Sequence, residues 1–255
     1  MGVLWLGVLA VGPGLCLTHV VWARDREREP LGNLLVYLLL GGLSVIPAVL
    51  LEIPLAGLLR PRGDALRFFL LPVWVLFGVA WVEEGSKRLL LLARGRSDRH
   101  IDEPFDWVVY AVAVALGFAT IENLVYVLHK GAGVGVLRAF TAVPAHALDG
   151  TMMGWRLARA ARLTGAAARR ERRLALWEPT LWHAAYDLPL FALQGSAGAG
   201  SALPLLLVWI GVLTCQWRIC VARMREMIRE QHHATPPLLA LDELARRLRQ
   251  RSRAW

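Results

Sequence analysis

Two adjacent carboxylates, Glu83 and Glu84, stand inside a hydrophobic run that begins near Phe68 and resumes through Leu89 to Ala93. An ionisable group at the centre of a bilayer costs roughly 2.5–3.5 kcal/mol on insertion scales, so a chain that keeps two of them there has a use for them. On a helix Lys87 lies four residues from Glu83 and three from Glu84, and Arg88 lies four from Glu84, which gives each acid a basic partner within one turn. Further along, Phe118, Glu122 and Tyr126 are spaced by four and share a helical face, His146 interrupts another apolar stretch, and His183 and Asp187 are again four apart, close enough to touch. A carboxylate held out of water serves as a general base near neutral pH. An imidazole binds a metal or donates a hydrogen bond to an oxyanion. Such a set fits water activation with or without zinc, and it fits a proton relay through a transporter equally well. The chain has no His-Glu-x-x-His zinc motif and no serine in a glycine-rich elbow.

The elements that must carry these residues are membrane spans. Of 255 residues 56% are hydrophobic, and the mean hydropathy is +0.45; soluble domains hold about 45–50% apolar residues. The composition predicts an all-α, polytopic transmembrane helix bundle of about seven spans in the cell membrane: Met1–Trp22, Leu31–Leu59, Ala65–Ala93, Phe105–Leu128, Val134–Ala161, Leu176–Leu193 and Ala202–Val221. The first segment lacks the basic start and the cleavage site of a signal peptide and is kept as a span. All but five of the 29 Lys and Arg (Arg60, Arg62, Arg67, Lys130 and Arg138) fall on one side of this topology, which places the N-terminus outside and the C-terminus in the cytoplasm. Residues 1–222 form the membrane domain, and 223–255 form a basic cytoplasmic tail whose Leu238–Leu248 stretch reads as an amphipathic helix on the lipid surface. Gln194–Ser201 is a short turn.

The net charge of +9 does not imply nucleic acid, because the arginines lie between apolar spans and form no basic, aromatic-studded face. Cys16, Cys215 and Cys220 lack zinc or disulfide spacing and read as small buried residues. Gly150 and Gly154 make a GxxxG pair suited to helix packing within the bundle. Because neighbouring spans run in opposite directions, Glu83, Glu84, Glu122, His146 and His183 all fall within about two turns of one depth, at ~1.5 Å per residue. Asp149 and Asp187 are read as orienting neighbours.

The ordered set Glu83-Glu84-x-x-Lys87, Phe118-x-x-x-Glu122-Asn123-x-x-Tyr126, His146-Ala147 and His183-x-x-Tyr186-Asp187 resembles the PrsW family of intramembrane proteases, over about Phe68 to Phe191. The approach Asp102-Glu103-Pro104-Phe105-Asp106 is similar to that family too. The resemblance implies hydrolysis of a peptide bond in a membrane-protein substrate, an anti-sigma factor or another signalling protein. It also implies kinship with the CAAX prenyl proteases. Carried over residue by residue, Glu83 or Glu84 activates water and Lys87 balances charge at the pair. Glu122, His146 and His183 bind a metal, zinc by its donor chemistry, or polarise the scissile carbonyl. Asn123, Tyr126 and Asp187 orient them. Asp149 departs from the family pattern and either adds a carboxylate to the site or pairs with Arg156. A proton-coupled transporter and a non-catalytic membrane scaffold remain the alternative readings of the same cluster.

Overall fold

In a computed structural model the chain is described over residues 2–61, 64–194 and 202–233, and all regular structure among the described residues is helical. Ten α-helices follow in order: α1 Gly2–Trp22, α2 Leu31–Leu43, α3 Val45–Leu59, α4 Asp64–Val73, α5 Trp81–Gly95, α6 Asp106–Lys130, α7 Ala132–Phe140, α8 Ala142–Ala161, α9 Gly165–Leu193 and α10 Ala202–His233. Segments 195–201 and 234–255 lie outside the described residues, and with them most of the expected turn after Gln194 and the expected surface helix Leu238–Leu248.

The centre of the bundle is α6. Its stretch from Val108 to Ala119 is buried almost without interruption. It is packed by α1, α2 and α8, and α8 rests in turn on α9. Small residues permit this closeness. A Cβ on Gly41 would lie 2.0 Å from the Val114 carbonyl oxygen, and one on Gly117 2.0 Å from that of Leu38, so α2 and α6 meet backbone to backbone. The GxxxG pair works in the same way against α6, with a Gly154 Cβ 2.5 Å from the Trp107 carbonyl. It packs helices within the fold, as expected.

Among the described residues five helical segments are long and apolar enough to cross a membrane: Trp5–Trp22, Leu31–Leu59, Arg67–Gly95, Asp106–Lys130 and Ala202–Gln231. The expected fifth and sixth spans, α7–α8 and α9, are absent from this set because they are less apolar: the fifth carries His146, Asp149, Arg156 and Arg159, and the sixth carries Glu178, His183 and Asp187. Much of α8 faces protein on all sides, so it needs no lipid-compatible surface.

Two expected spans are broken by local chemistry. At Ser44, between α2 and α3, the hydroxyl donates to the Gly41 carbonyl at 2.6 Å. At Thr141, between α7 and α8, it donates to that of Leu137 at 2.8 Å. In each case a proline stands three residues on, Pro47 and Pro144, and lacks the N–H that would have carried the helix across the break. Between α4 and α5 the chain widens into a π-helix over Trp74–Ala80, just after Pro72. This segment delivers Glu83 and Glu84 to the interior.

α10 runs unbroken to His233, so the expected boundary near 222 is not a structural break. The three cysteines are free, and only Cys220 is buried; Cys16 and Cys215 lie on the exposed outer surfaces of α1 and α10, which correct the expectation that all three are interior.

Candidate active site

The first turn of α5 presents Glu83 and Glu84 together, and Lys87 closes over both. Its ammonium lies 2.7 Å from Glu84 Oε1 and 3.3 Å from Glu83 Oε2. Arg88, the other expected partner, points away and donates to the Arg172 carbonyl at 3.1 Å. The third ligand of the ammonium is His146 Nδ1 on α8, at 3.0 Å. The Phe118 ring of α6 sits beneath it, 4.1 Å from centroid to nitrogen. An ammonium has three protons and no lone pair. Lys87 therefore spends them on two carboxylates and one imidazole, and His146 Nδ1 must accept. That leaves the His146 proton on Nε2, which donates to Glu122 Oε2 at 2.9 Å.

His183 enters from α9. Its Nδ1 lies 2.9 Å from Glu84 Oε1 and 3.8 Å from Asp149 Oδ2. Its Nε2 lies 3.4 Å from Asp187 Oδ2 and 3.8 Å from Glu83 Oε2. The two imidazoles stand edge to face, 5.3 Å between centroids. Four helices, α5, α6, α8 and α9, thus bring Glu83, Glu84, Lys87, Glu122, His146, Asp149, His183 and Asp187 into one contiguous group.

Asn123 and Tyr126 sit one step away. Asn123 donates to the carbonyls of Leu9 and Ala10 at 3.1 and 3.3 Å, tying α1 to α6. Its Oδ1 accepts from Arg138 Nε at 3.3 Å, and Tyr126 stacks beneath the same guanidinium at 4.0 Å. Asp149 does not pair with Arg156; its Oδ1 accepts from Gln216 Nε2 of α10 at 2.6 Å. Arg156 binds Glu171 and Glu178 instead, at 2.9 and 2.5 Å.

Two participants escaped sequence reasoning. Arg138, at the end of α7, lies 2.7 Å from Glu122 Oε2, and its signal was an arginine standing alone within an apolar stretch. Gln216 is fully buried, a single amide in a hydrophobic span. Glu52, to which the sequence assigned no role, also faces the site from α3.

The group forms part of the wall of a cleft of ≈ 660 Å³ that Glu52, Glu83, Glu122, Arg138, His146 and His183 help to line, with apolar walls from Val45, Val49, Trp74 and Trp209. Glu83 reaches this space and Glu84 does not. A cleft with apolar walls and a few convergent polar groups has the usual make-up of a binding site.

The donor set can hold a metal ion. Glu84, His146, Asp149 and His183 each offer one atom within 4.8 Å of the others, and Glu83, Glu122 and His146 form a second such group. Glu84 Oε2 is buried and has no hydrogen-bond partner, a lone acceptor of the kind a cation would satisfy.

Comparison with known proteins gives this geometry a context. The model of the PrsW family of intramembrane metalloproteases matches residues 29–215, a wider region than the motifs alone had marked. Protease PrsW of Clostridioides difficile (strain 630) is 31% identical over 230 residues, 87% of this chain and 90% of the relative. Protease PrsW of Bacillus subtilis (strain 168) is 30% identical over 203 residues, 79% of this chain and 90% of the relative. That of Geobacillus kaustophilus (strain HTA426) is 33% identical over 187 residues, 71% and 78% respectively. No solved structure matches the chain.

Proposed function

The chain belongs to the PrsW family of intramembrane proteases, and from that premise we propose that the cleft between α5, α6, α8 and α9 is where a membrane-protein substrate is cut, with Glu83 as the general base. The protein is a multi-pass enzyme of the cell membrane. One observation carries the assignment of the base: of the two adjacent acids, Glu83 lines the cleft and Glu84 is sealed behind it.

Glu83 takes a proton from the attacking water and returns it to the leaving nitrogen of the peptide bond, so its carboxyl is restored in each turnover. Lys87 holds the pair of acids at fixed separation and balances their charge. Glu84 anchors Lys87 and His183 together. His146, His183, Glu84 and Asp149 are the residues that would hold a metal, His146 Nδ1 then turning its lone pair from the Lys87 ammonium to the ion, and their mixed nitrogen and oxygen donors suit zinc. When bound, such an ion supplies Lewis-acid polarisation of the scissile carbonyl. Glu122, paired with Arg138, orients His146 from the other ring nitrogen. Asp187 does the same for His183.

In the bilayer, α8 and α9 cross as interior helices, which brings the number of spans to seven. The basic loops set the N-terminus outside and the C-terminus in the cytoplasm. The substrate class carried by the family resemblance is an anti-sigma factor or another membrane-bound signalling protein, and the apolar cleft walls suit a segment drawn from a transmembrane helix.

The test is a comparison of membrane-protein fragments in cells carrying the intact chain or its Glu83→Gln form at equal abundance. Fragments seen only with the intact chain support the reading and supply the substrate. Identical fragment patterns across several stresses overturn it in favour of a proton-conducting or scaffolding role.

A further inference from the structure

At the other end of α6, a second group of acids has no role in the chemistry above. Asp25 and Glu29 in the α1–α2 loop and Asp106, the first residue of α6, are all buried, and each offers an oxygen within 4.8 Å of the others. Among the described residues no lysine or arginine pairs with any of them. The nearby Arg26 donates instead to the Gln231 backbone carbonyl at 2.8 Å.

Three buried carboxylates without a counter-charge are costly. Their hydrogen bonds satisfy only part of them. Glu29 Oε2 accepts from the Tyr110 hydroxyl. Asp106 Oδ2 accepts from the backbone N–H groups of Asp102 and Glu103 at 2.9 and 2.6 Å. Asp25 Oδ1 accepts from Gln231 Nε2 at 2.9 Å, and the same nitrogen reaches Glu103 Oε2 at 2.9 Å. Burial pushes the carboxyls of Asp25 and Glu29 above their ordinary range.

Two buried oxygens are left over. Asp25 Oδ2 has no partner, and neither has Oε1 of Gln231, a side chain 8% exposed that comes from α10 and whose amide is aimed into the acidic group. Nε2 is the atom that now faces the carboxylates; a half-turn of the amide exchanges its bonds to Asp25 and Glu103 for an Oε1 presented to a bound cation. Oxygens that share one ion at about 2.4 Å lie no more than about 4.8 Å apart. The spacing of the three acids meets that limit.

We propose that Asp25, Glu29, Asp106 and Gln231 form a structural site for a hard divalent cation of the Mg²⁺ or Ca²⁺ class. The donors are all oxygen, which disfavours zinc and copper. The ion clamps the α1–α2 loop, the start of α6 and the end of α10 to one another. Asp106 and Glu122 are sixteen residues apart on one helix, so this site stands about 24 Å from the proteolytic group. It holds whether or not the chain cleaves anything.

The experiment uses the full chain in detergent, stripped of metal with a chelator and dialysed. Its thermal melt is followed against MgCl₂ and CaCl₂, with NaCl at matched ionic strength as control. The site predicts a saturable rise in melting temperature with one of the two salts. Asp25→Asn and Glu29→Gln weaken that response about tenfold or more by removing ligand charge, while Glu84→Gln retains it. Absence of a saturable rise overturns the proposal. So does a rise unchanged in Asp25→Asn and Glu29→Gln, or one lost only in Glu84→Gln, which places the ion in the proteolytic group. A second measurement needs no acid variant. Tb³⁺ emission excited through Trp22, whose indole donates to the Glu29 carbonyl at 2.7 Å, should be displaced by Ca²⁺ and dimmed in Trp22→Phe. Emission insensitive to both overturns the site.

Discussion

Lys87 Nζ lies 2.7 Å from Glu84 Oε1, and the two side chains are 1% and 0% exposed. Such a pair contributes little net stability, since both charges were taken out of water, but breaking it strands a charge, at a cost of roughly 3–5 kcal/mol. Lys87→Met leaves two acids uncompensated. The expected result is a large fall in melting temperature in detergent and loss of cleavage. Adding Glu84→Gln to Lys87→Met should recover part of the stability and none of the activity. A Lys87→Met protein that melts like the parent would show that the ammonium does not neutralise this pair.

Glu83 and Glu84 should separate by what their loss disturbs. Glu83→Gln removes the proposed base and keeps the shape, so cleavage should fall by about 10²–10⁴-fold with the melt nearly unchanged. Glu84→Gln weakens the anchor for both Lys87 and His183, so stability and cleavage should fall together. The two measurements, made on both variants, check the division of labour. The reverse pattern would make Glu84 the base.

Arg138 is the least expected member of the group. It lies 2.7 Å from Glu122 and is stacked over Tyr126. On the proposed reading it acts through Glu122 on the orientation of His146. Outer partners of this kind typically account for about 10–100-fold in affinity or activity. Arg138→Leu should reduce cleavage on that scale, and Arg138→Lys should restore part of it by keeping the ion pair while losing the stack. If Arg138→Leu and Arg138→Lys are equally impaired, the planar guanidinium rather than its charge positions Glu122.

Much of the site was legible because each acid or histidine interrupts an apolar helix, and charge in such a place is conspicuous. Spacing by four further linked Lys87 to Glu83 and His183 to Asp187, and both contacts are present at 3.3 and 3.4 Å. Arg138 was missed because a basic residue near a span end reads equally well as topology. Gln216 was missed because its partner, Asp149, lies 67 residues away in sequence. The breaks at Ser44 and Thr141 had a local signal in Pro47 and Pro144, but a proline in a long apolar stretch bends a helix as readily as it divides one. The π-helix over Trp74–Ala80 has no periodicity that could announce it. Asp25, Glu29 and Asp106 meet only through tertiary packing, and the first two read from sequence as ordinary loop charges.

Removal of a transition metal tests the donor set directly. Treatment with 1,10-phenanthroline, which leaves Mg²⁺ and Ca²⁺ largely in place, should abolish cleavage, and Zn²⁺ should restore it. His146→Ala and His183→Ala should each lower the zinc content of the purified protein. Full cleavage by protein that contains no metal would assign the chemistry to Glu83 and the imidazoles alone.

The position of Glu122 depends on how closely α2 approaches α6, and glycine sets that approach. A Cβ at Gly117 would stand 2.0 Å from the Leu38 carbonyl oxygen, and one at Gly85 would meet nothing within 4 Å. Gly117→Ala must therefore push two backbones apart, and overpacking of this kind costs about 1–3 kcal/mol. Gly85→Ala gains up to about 1 kcal/mol of helix propensity instead. The melt of Gly117→Ala should fall and that of Gly85→Ala should hold or rise. Because Gly117 lies five residues before Glu122 on the same helix, the displacement should also reduce cleavage. An undisturbed melt in Gly117→Ala would mean that α2 and α6 pack less closely than backbone contact.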